Sequence, residues 1–298
     1  MRLRLITWWL IVPLLALLWI MLDRPRPRPP HQAEWLDAGG VLVRAVRAGS
    51  GDTTLLLLHG YGESLTTWRA TFDALAIGHR VIAIDLPGFG GSAKPDVPYS
   101  LPAMTERLSR FIDRWTTGPV VLVGHSMGGE IAASLALARP DRVKLLVLIA
   151  PAGYRIGLGG IAGSMTPGKA RTIGRYLALR SFVTPIHDPA WLREPDSSAE
   201  YEQTGDPAYS RSAARVLEDF DFVALRDRFR DLVQPTLLIW GGLDPVVPFS
   251  VGDTLSHLIP CVHFYPLSRA FHRPHAEIPD TVISVVRKFL VQPACTGS

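Results

Sequence analysis

Five runs of apolar residues fix what this chain can fold into. They are "TLLLLHG" at 54–60, "VIAIDLPG" at 81–88, "VVLVGHS" at 120–126, "KLLVLIAPAG" at 144–153 and "PTLLIWGGLD" at 235–244. Each is too short for a membrane span and is not amphipathic. Continuous apolar runs of this length read as strands buried on both faces, the mark of a parallel sheet covered by helices. "VLVRAV" at 41–46 alternates like an early strand, and "VHFYPL" at 262–267 is a further strand candidate. Helical stretches lie between the runs, at 65–76, 102–115 and 127–138. Strand–helix alternation predicts a doubly wound α/β sheet, with chemistry at the carboxyl ends of its strands.

Two segments depart from that alternation. Residues 154–231 contain no buried-strand run; they open with "GLGGIAGSMTPG" and continue in helical patterns. Their position between two core strands predicts a helical lid inserted before the penultimate strand. Met165, Tyr176, Phe182 and Trp191 within it read as lid core. The other segment is the N-terminus. Residues 5–22, "LITWWLIVPLLALLWIML", carry no charge and would be about 27 Å long as a helix, close to the hydrocarbon thickness. Trp8, Trp9 and Trp19 lie towards its ends, where indoles favour the interface. It is followed by "DRPRPRPP", with no small-residue cleavage site, so the expectation is an uncleaved transmembrane anchor with a stiff spacer. Residues 1–30 are therefore expected to anchor a single domain, 31–298, at the cell membrane. The side is open, with a lean towards an extracytoplasmic domain.

Composition narrows the function classes. At 47% hydrophobic and 19% charged, the remainder suits a globular domain with a substantial core. The net charge of +4 is carried largely by arginines beside the apolar segment (Arg2, Arg4, Arg24, Arg26 and Arg28), which fits a membrane-flanking role and no nucleic-acid partner. Cys261 and Cys295 are the only cysteines and form no zinc pattern. They read as two thiols, or as one bridge in an oxidising compartment.

"VVLVGHSMGGEIA" carries the chemistry. Gly124-His125-Ser126-Met127-Gly128 fits G-x-S-x-G with a strand before it and a helix after it. The serine of such an elbow sits in a sharp turn, so its neighbours must be small. The helix start supplies N–H groups and positive potential for a developing oxyanion. A serine needs a base oriented by an acid, and the order in such sheets is serine, acid, histidine. Asp244 follows one strand run, and His272 lies in the loop after the next strand candidate.

On "LLHGYGES", "DLPGFGGSAKP", "GHSMGGEIA", "LIWGGLDPVVP" and "FHRPHAEIP", the chain resembles the lidded, single-domain α/β-hydrolases over about residues 35–292. The resemblance implies an eight-stranded-type, mostly parallel sheet. It implies Ser126 as nucleophile, Asp244 as orienting acid, His272 as base, and an oxyanion hole from the backbone N–H groups of Tyr61 and Met127. It implies no metal and no cofactor. The family's glycine before the catalytic histidine is Phe271 here, which leaves His275 as the alternative base. His125 and Tyr61 are expected to line the substrate pocket, and His59 and Asp85 to brace loops at strand ends. His263 is expected to be packed or exposed on its strand.

Epoxide hydrolases and haloalkane dehalogenases, similar in "DLPGFGGSAKP", use an aspartate nucleophile, which Ser126 disfavours. The expected activity is hydrolysis of a small, hydrophobic carboxylic ester through an acyl-enzyme. Hydrolysis of carbon–carbon bonds in ring-cleavage products is an alternative that fits the Ser-Met-Gly-Gly elbow. A cofactor-free perhydrolase is another. Outside the enzymes, a non-catalytic binding protein on the same fold is the competing reading.

Overall fold

The computed structural model describes residues 32–155 and 206–293. The expected membrane segment, most of the expected lid with Met165, Tyr176, Phe182 and Trp191, and Cys295 lie outside the described residues. Among the described residues, no helix is long and apolar enough to cross a membrane. No cysteine among them is free: Cys261 is disulfide-bonded.

The strands, in chain order, are β1 (Glu34–Ala38), β2 (Val41–Ala48), β3 (Thr54–Leu58), β4 (Arg80–Ile84), β5 (Val120–His125), β6 (Val143–Ile149), β7 (Thr236–Gly241) and β8 (Val262–Leu267). They form one eight-stranded sheet in the order β1-β2-β4-β3-β5-β6-β7-β8. β2 runs antiparallel to both β1 and β4, and β3 to β8 are mutually parallel. The helices are α1 (Phe72–Leu75), α2 (Leu101–Trp115), α3 (Met127–Ala138), α4 (Pro207–Asp219), α5 (Phe249–Leu258), α6 (Pro274–Glu277) and α7 (Pro279–Val291).

Every residue of β3, β5 and β7 is buried. Alternate side chains enter two separate cores, as a pleat requires. Leu56, Leu58, Leu122, Leu148 and Leu238 point into the core under α2, α3 and α5. Leu55, Leu57, Val121, Val123, Val147 and Ile239 meet Trp68, Phe72 and the Val282, Val286 and Phe289 face of α7. The edge strands β1 and β8 are only partly buried, which is why β1, "EWLDA", carries so weak an apolar signal.

The helix expected over 65–76 is instead a 3₁₀ turn, Leu65–Trp68, followed by the four-residue α1. The reason is local. The N–H groups pair three residues back, Thr67 to Ser64, Arg69 to Thr66 and Thr71 to Trp68, which is the 3₁₀ pattern, and such runs stay short. α4, which lies inside the segment 154–231 expected as a lid, runs over the loops that follow β3 and β4. Ser212 Oγ donates to the Gly88 carbonyl at 2.6 Å, and the Tyr61 hydroxyl donates to the Ala213 carbonyl at 3.1 Å. The stem is stitched by Gly153 N–H to the Phe222 carbonyl and Leu225 N–H to the Gly153 carbonyl.

α3 lies unusually close to the sheet. A Cβ on Gly128 would stand 2.3 Å from the Leu58 carbonyl oxygen and 2.4 Å from that of His59. These are backbone atoms of the strand end and cannot swing away. Gly128→Ala is expected to destabilise the protein by about 1–3 kcal/mol, as overpacking does, read as a lowered urea midpoint with an unchanged slope.

Candidate active site

The site forms where the carboxyl ends of β3, β5, β7 and β8 meet. Ser126 stands between β5 and α3 with φ 51 and ψ −117, a backbone conformation that side chains rarely adopt. Four backbone bonds hold it there. Its N–H donates to the Ile149 carbonyl at 3.0 Å, and its carbonyl accepts from Gly129, Glu130 and Ala152. The result is a partly exposed serine at the mouth of the sheet. The Met127 N–H opens α3, where no preceding helical carbonyl is available to it. Gly128 in the first turn of α3 lies against the carbonyls of Leu58 and His59 at the end of β3.

Asp244 lies in the turn after β7, its side chain fully buried. One carboxylate oxygen accepts the N–H groups of Val246 and Val247 at 2.8 and 2.9 Å. The other faces His272 Nδ1 at 2.7 Å. A carboxylate only accepts, so Nδ1 carries the hydrogen and Nε2 is left bare, which is the tautomer a general base needs. Burial pushes the His272 imidazole below its ordinary value, against the opposing pull of the Asp244 hydrogen bond. The loop carrying His272 is clamped by Glu277, whose two oxygens accept the N–H groups of Phe271 and Arg273. The side chain of Phe271, just before His272, points outward and is 44% exposed.

His125 adjoins Ser126 in the chain, and its ring lies 4.7 Å from that of His272, which is bonded to Asp244. His275 sits elsewhere. It is fully buried, bonded through Nε2 to Thr67 Oγ1 at 2.9 Å and packed on Trp68. The bond from His272 to Asp244 has no counterpart on His275. Tyr61 is half-buried, its ring edge-on to Phe89 and Phe222. His125, expected in the pocket lining, is 1% exposed and faces inward, with both ring nitrogens engaged.

His59 and Asp85 sit as braces. His59 Nε2 accepts the Leu86 N–H, so Nδ1 is the nitrogen that donates to the Gly60 carbonyl. Asp85 accepts from Arg44, Leu65 N–H and Gly91 N–H. His263 is packed on β8, its ring edge-on to Phe289.

Among the described residues, ligand atoms of Glu63, His125 and His275 converge within 4.8 Å, a spacing that could serve a metal ion. Hydrogen bonds account for much of this convergence. Glu63 Oε2 accepts the Gly60 N–H at 2.8 Å and faces His125 Nδ1 at 3.0 Å. His275 Nδ1 is buried without a partner, and burial holds that imidazole well below its ordinary value, hence neutral. Sequence reasoning assigned no role to Glu63 or Glu277, although both lie inside motifs it singled out.

The alpha/beta hydrolase fold family model matches residues 53–165. The chain is 30% identical over 260 residues to the pimeloyl-[acyl-carrier protein] methyl ester esterase of Aeromonas salmonicida, covering 83% of this chain and 99% of that protein. It is 33% identical over 235 residues to the dihydrolipoyllysine-residue acetyltransferase component of the acetoin cleaving system of Pseudomonas putida, spanning 61% of that protein's length. Among solved structures it resembles the meta-cleavage product hydrolase of Pseudomonas fluorescens IP01, with 26% identity, a TM-score of 0.70, and coverage of 88% of this chain and 98% of that one. The chain belongs to the α/β-hydrolase family.

The depressed His272 has a measurable consequence. With His272 as the expected base, which works only when unprotonated, rate is lost as pH falls through its pKa. The acid limb of kcat/KM is therefore expected below the ordinary histidine value of about 6.5, measured on any turned-over ester.

Proposed function

We propose that the chain is a serine hydrolase that cleaves carboxylic esters through an acyl-enzyme on Ser126. The observation that carries this reading is the Asp244–His272 bond, 2.7 Å long, on loops beyond the strands, together with a serine held at φ 51 at the end of β5. Ser126 Oγ attacks the ester carbonyl and its proton passes to His272 Nε2. Charge on the carbonyl oxygen is met by the N–H groups of Tyr61 and Met127, at the start of a helix whose dipole adds to them. Asp244 stabilises the imidazolium at Nδ1. His272 returns the proton to the departing alcohol, then activates the water that releases the acid. Neither step calls for a metal or an organic cofactor. The kinship with a methyl ester esterase supports the ester as substrate class. The likeness to a meta-cleavage product hydrolase keeps carbon–carbon cleavage as the second reading.

The apolar segment 5–22 and its Pro/Arg spacer support a domain tethered to the cell membrane, with residues 154–231 as a lid and hydrophobic, membrane-delivered esters as substrates. The full chain is expected to stay with the membrane through alkaline carbonate washing, and removal of residues 1–30 is expected to release it.

The decisive assay is p-nitrophenyl ester hydrolysis across acyl lengths with Ser126→Ala as control. Wild-type turnover and a loss of at least about a thousandfold in the variant are expected. Retained turnover in Ser126→Ala would remove the nucleophile assignment. No wild-type turnover on any ester would move the reading to carbon–carbon cleavage.

A further inference from the structure

A cavity of about 350 Å³ lies at the end of the sheet opposite Ser126. It is bounded by the last residues of β2, the first residues of β3 and β4, and the carboxyl end of α2. Chemistry in such sheets sits at the other ends of the strands, and the ester mechanism uses none of these residues. Strand pairing builds the wall. Pleating puts Thr54 on the face of Leu56 and Leu58, Arg80 on that of Ile82 and Ile84, and Arg47 on that of Val43 and Ala45. Those apolar residues all belong to the core under α2 and α3. Arg47 pairs across with Ile82, and Thr54 with Arg80. Arg47, Arg80 and Thr54 therefore stand on three adjacent strands, on one face. The Trp115 ring completes the wall, its N–H donated to the Asp37 carbonyl at 2.8 Å.

The polar groups of this wall are only partly spent. Thr54 is 2% exposed, and no described residue bonds to its hydroxyl. Arg80 Nε is buried without a partner, and no described acid pairs with its guanidinium. The other charges nearby are balanced. Arg47 is bonded to Glu34, Asp37 faces Arg114, and Asp113 faces Arg139 and Arg142. Asp52, in the loop before β3, is not a lining residue. Arg142 also covers the carbonyls of Ile112, Thr116 and Gly118, which blunts the negative end of α2. Arg80 is left as an uncompensated positive charge beside an enclosed hydroxyl.

We propose that this cavity binds a phosphate group, with Arg80 as its charged donor, Thr54 as its hydroxyl donor and Arg47 at the rim. A guanidinium fork matches an oxyanion, and a phosphate has enough oxygens to serve donors on separate strands. The place of the cavity names the source. β1 begins at Glu34, the residue that Arg47 holds, so the chain enters the domain at the cavity rim. A tether on residues 5–22, with the spacer 23–30 reaching about 25 Å when extended, would turn this end towards the bilayer. The phosphate within reach is then that of a phospholipid headgroup. That choice of source rests on the tethered reading; the phosphate site itself does not.

The test uses the full chain in nonionic detergent, in chloride buffer of constant ionic strength. The Arg80 Nε–H resonance of isotope-labelled wild type is followed while inorganic phosphate is added. A saturable shift is expected, and its absence would overturn the proposal without any variant having to fold. The thermal midpoint is expected to rise with phosphate in parallel. Arg80→Gln is expected to weaken the apparent phosphate affinity by at least about tenfold, the loss that follows removal of a charged hydrogen bond. An unchanged affinity in that variant would also overturn the site.

Dihexanoyl phosphatidylglycerol in place of phosphate separates the sources. A headgroup site is expected to respond to it at a lower concentration than to inorganic phosphate. A weaker response than to phosphate would keep the site, assign it to the free ion and overturn the lipid assignment. Dihexanoylglycerol, which lacks the phosphate, is expected to leave the Arg80 resonance unmoved; the same shift from it would overturn the phosphate site. Release of the full chain by carbonate washing would remove the tether alone, and the phosphate titration would still decide the cavity.

Discussion

The backbone turn at Ser126 is the constraint on which the site is built. A non-glycine residue held near φ 51 costs on the order of 1–3 kcal/mol and survives only where its surroundings over-determine it. Here they do. The Ser126 N–H is tied to β6 through the Ile149 carbonyl, and its own carbonyl takes three N–H groups, from Gly129 and Glu130 of α3 and from Ala152 beyond β6. The last bond couples the elbow to a second strained residue, Ala150 at φ 41. One residue past Ala152 is Gly153, whose bonds to Phe222 and Leu225 close the stem of the insertion. Ser126 and the segment beyond Gly153 are therefore parts of one hydrogen-bonded unit.

Around that turn, the loops at the strand ends are shaped by buried or half-buried carboxylates. Asp85 gathers Leu65, Gly91 and Arg44; Glu63 takes Gly60; Asp244 takes Val246 and Val247; Glu277 takes Phe271 and Arg273. A carboxylate suits this work because it offers several acceptor sites and its bonds to N–H groups are charge-assisted. Each acid here binds backbone that sequence separation would otherwise leave free, over loops that carry Tyr61, Asp244 and His272. Their geometry is thus set by acceptors on the loops themselves and less by the sheet.

This division explains what the sequence made legible. Buried strands announce themselves as apolar runs, and all five runs became strands of the central sheet with the expected parallel pairing. α3, expected over 127–138, begins and ends there because the elbow fixes its start. Asp244 and His272 stood out because they follow strands in the order a serine needs. Glu63 and Glu277 did not, since an acid in a loop has no periodicity, and its partners are N–H groups that every residue carries. His125 was misplaced towards the pocket for a related reason. The middle position of G-x-S-x-G says nothing about which way its side chain turns, and only Glu63 and the His272 carbonyl decide that it turns inward. The stretch 65–76 is not one helix because its N–H groups close three residues back, from Thr67 to Ser64 through Thr71 to Trp68, a pattern that apolar spacing does not reveal.

The basicity of His272 then follows from position more than from residue type. In the proposed mechanism its ring is neutral at the outset and cationic while the tetrahedral species lasts. Asp244 alone would favour the cation in both stages, and a base already protonated cannot accept the serine proton. Burial opposes that pull and is the larger influence, so the imidazole lies below its ordinary value. With Nδ1 committed to the Asp244 carboxylate, Nε2 is the nitrogen left to exchange a proton. One acid therefore does two things to the ring: it fixes the tautomer, and it limits how far burial can lower the basicity.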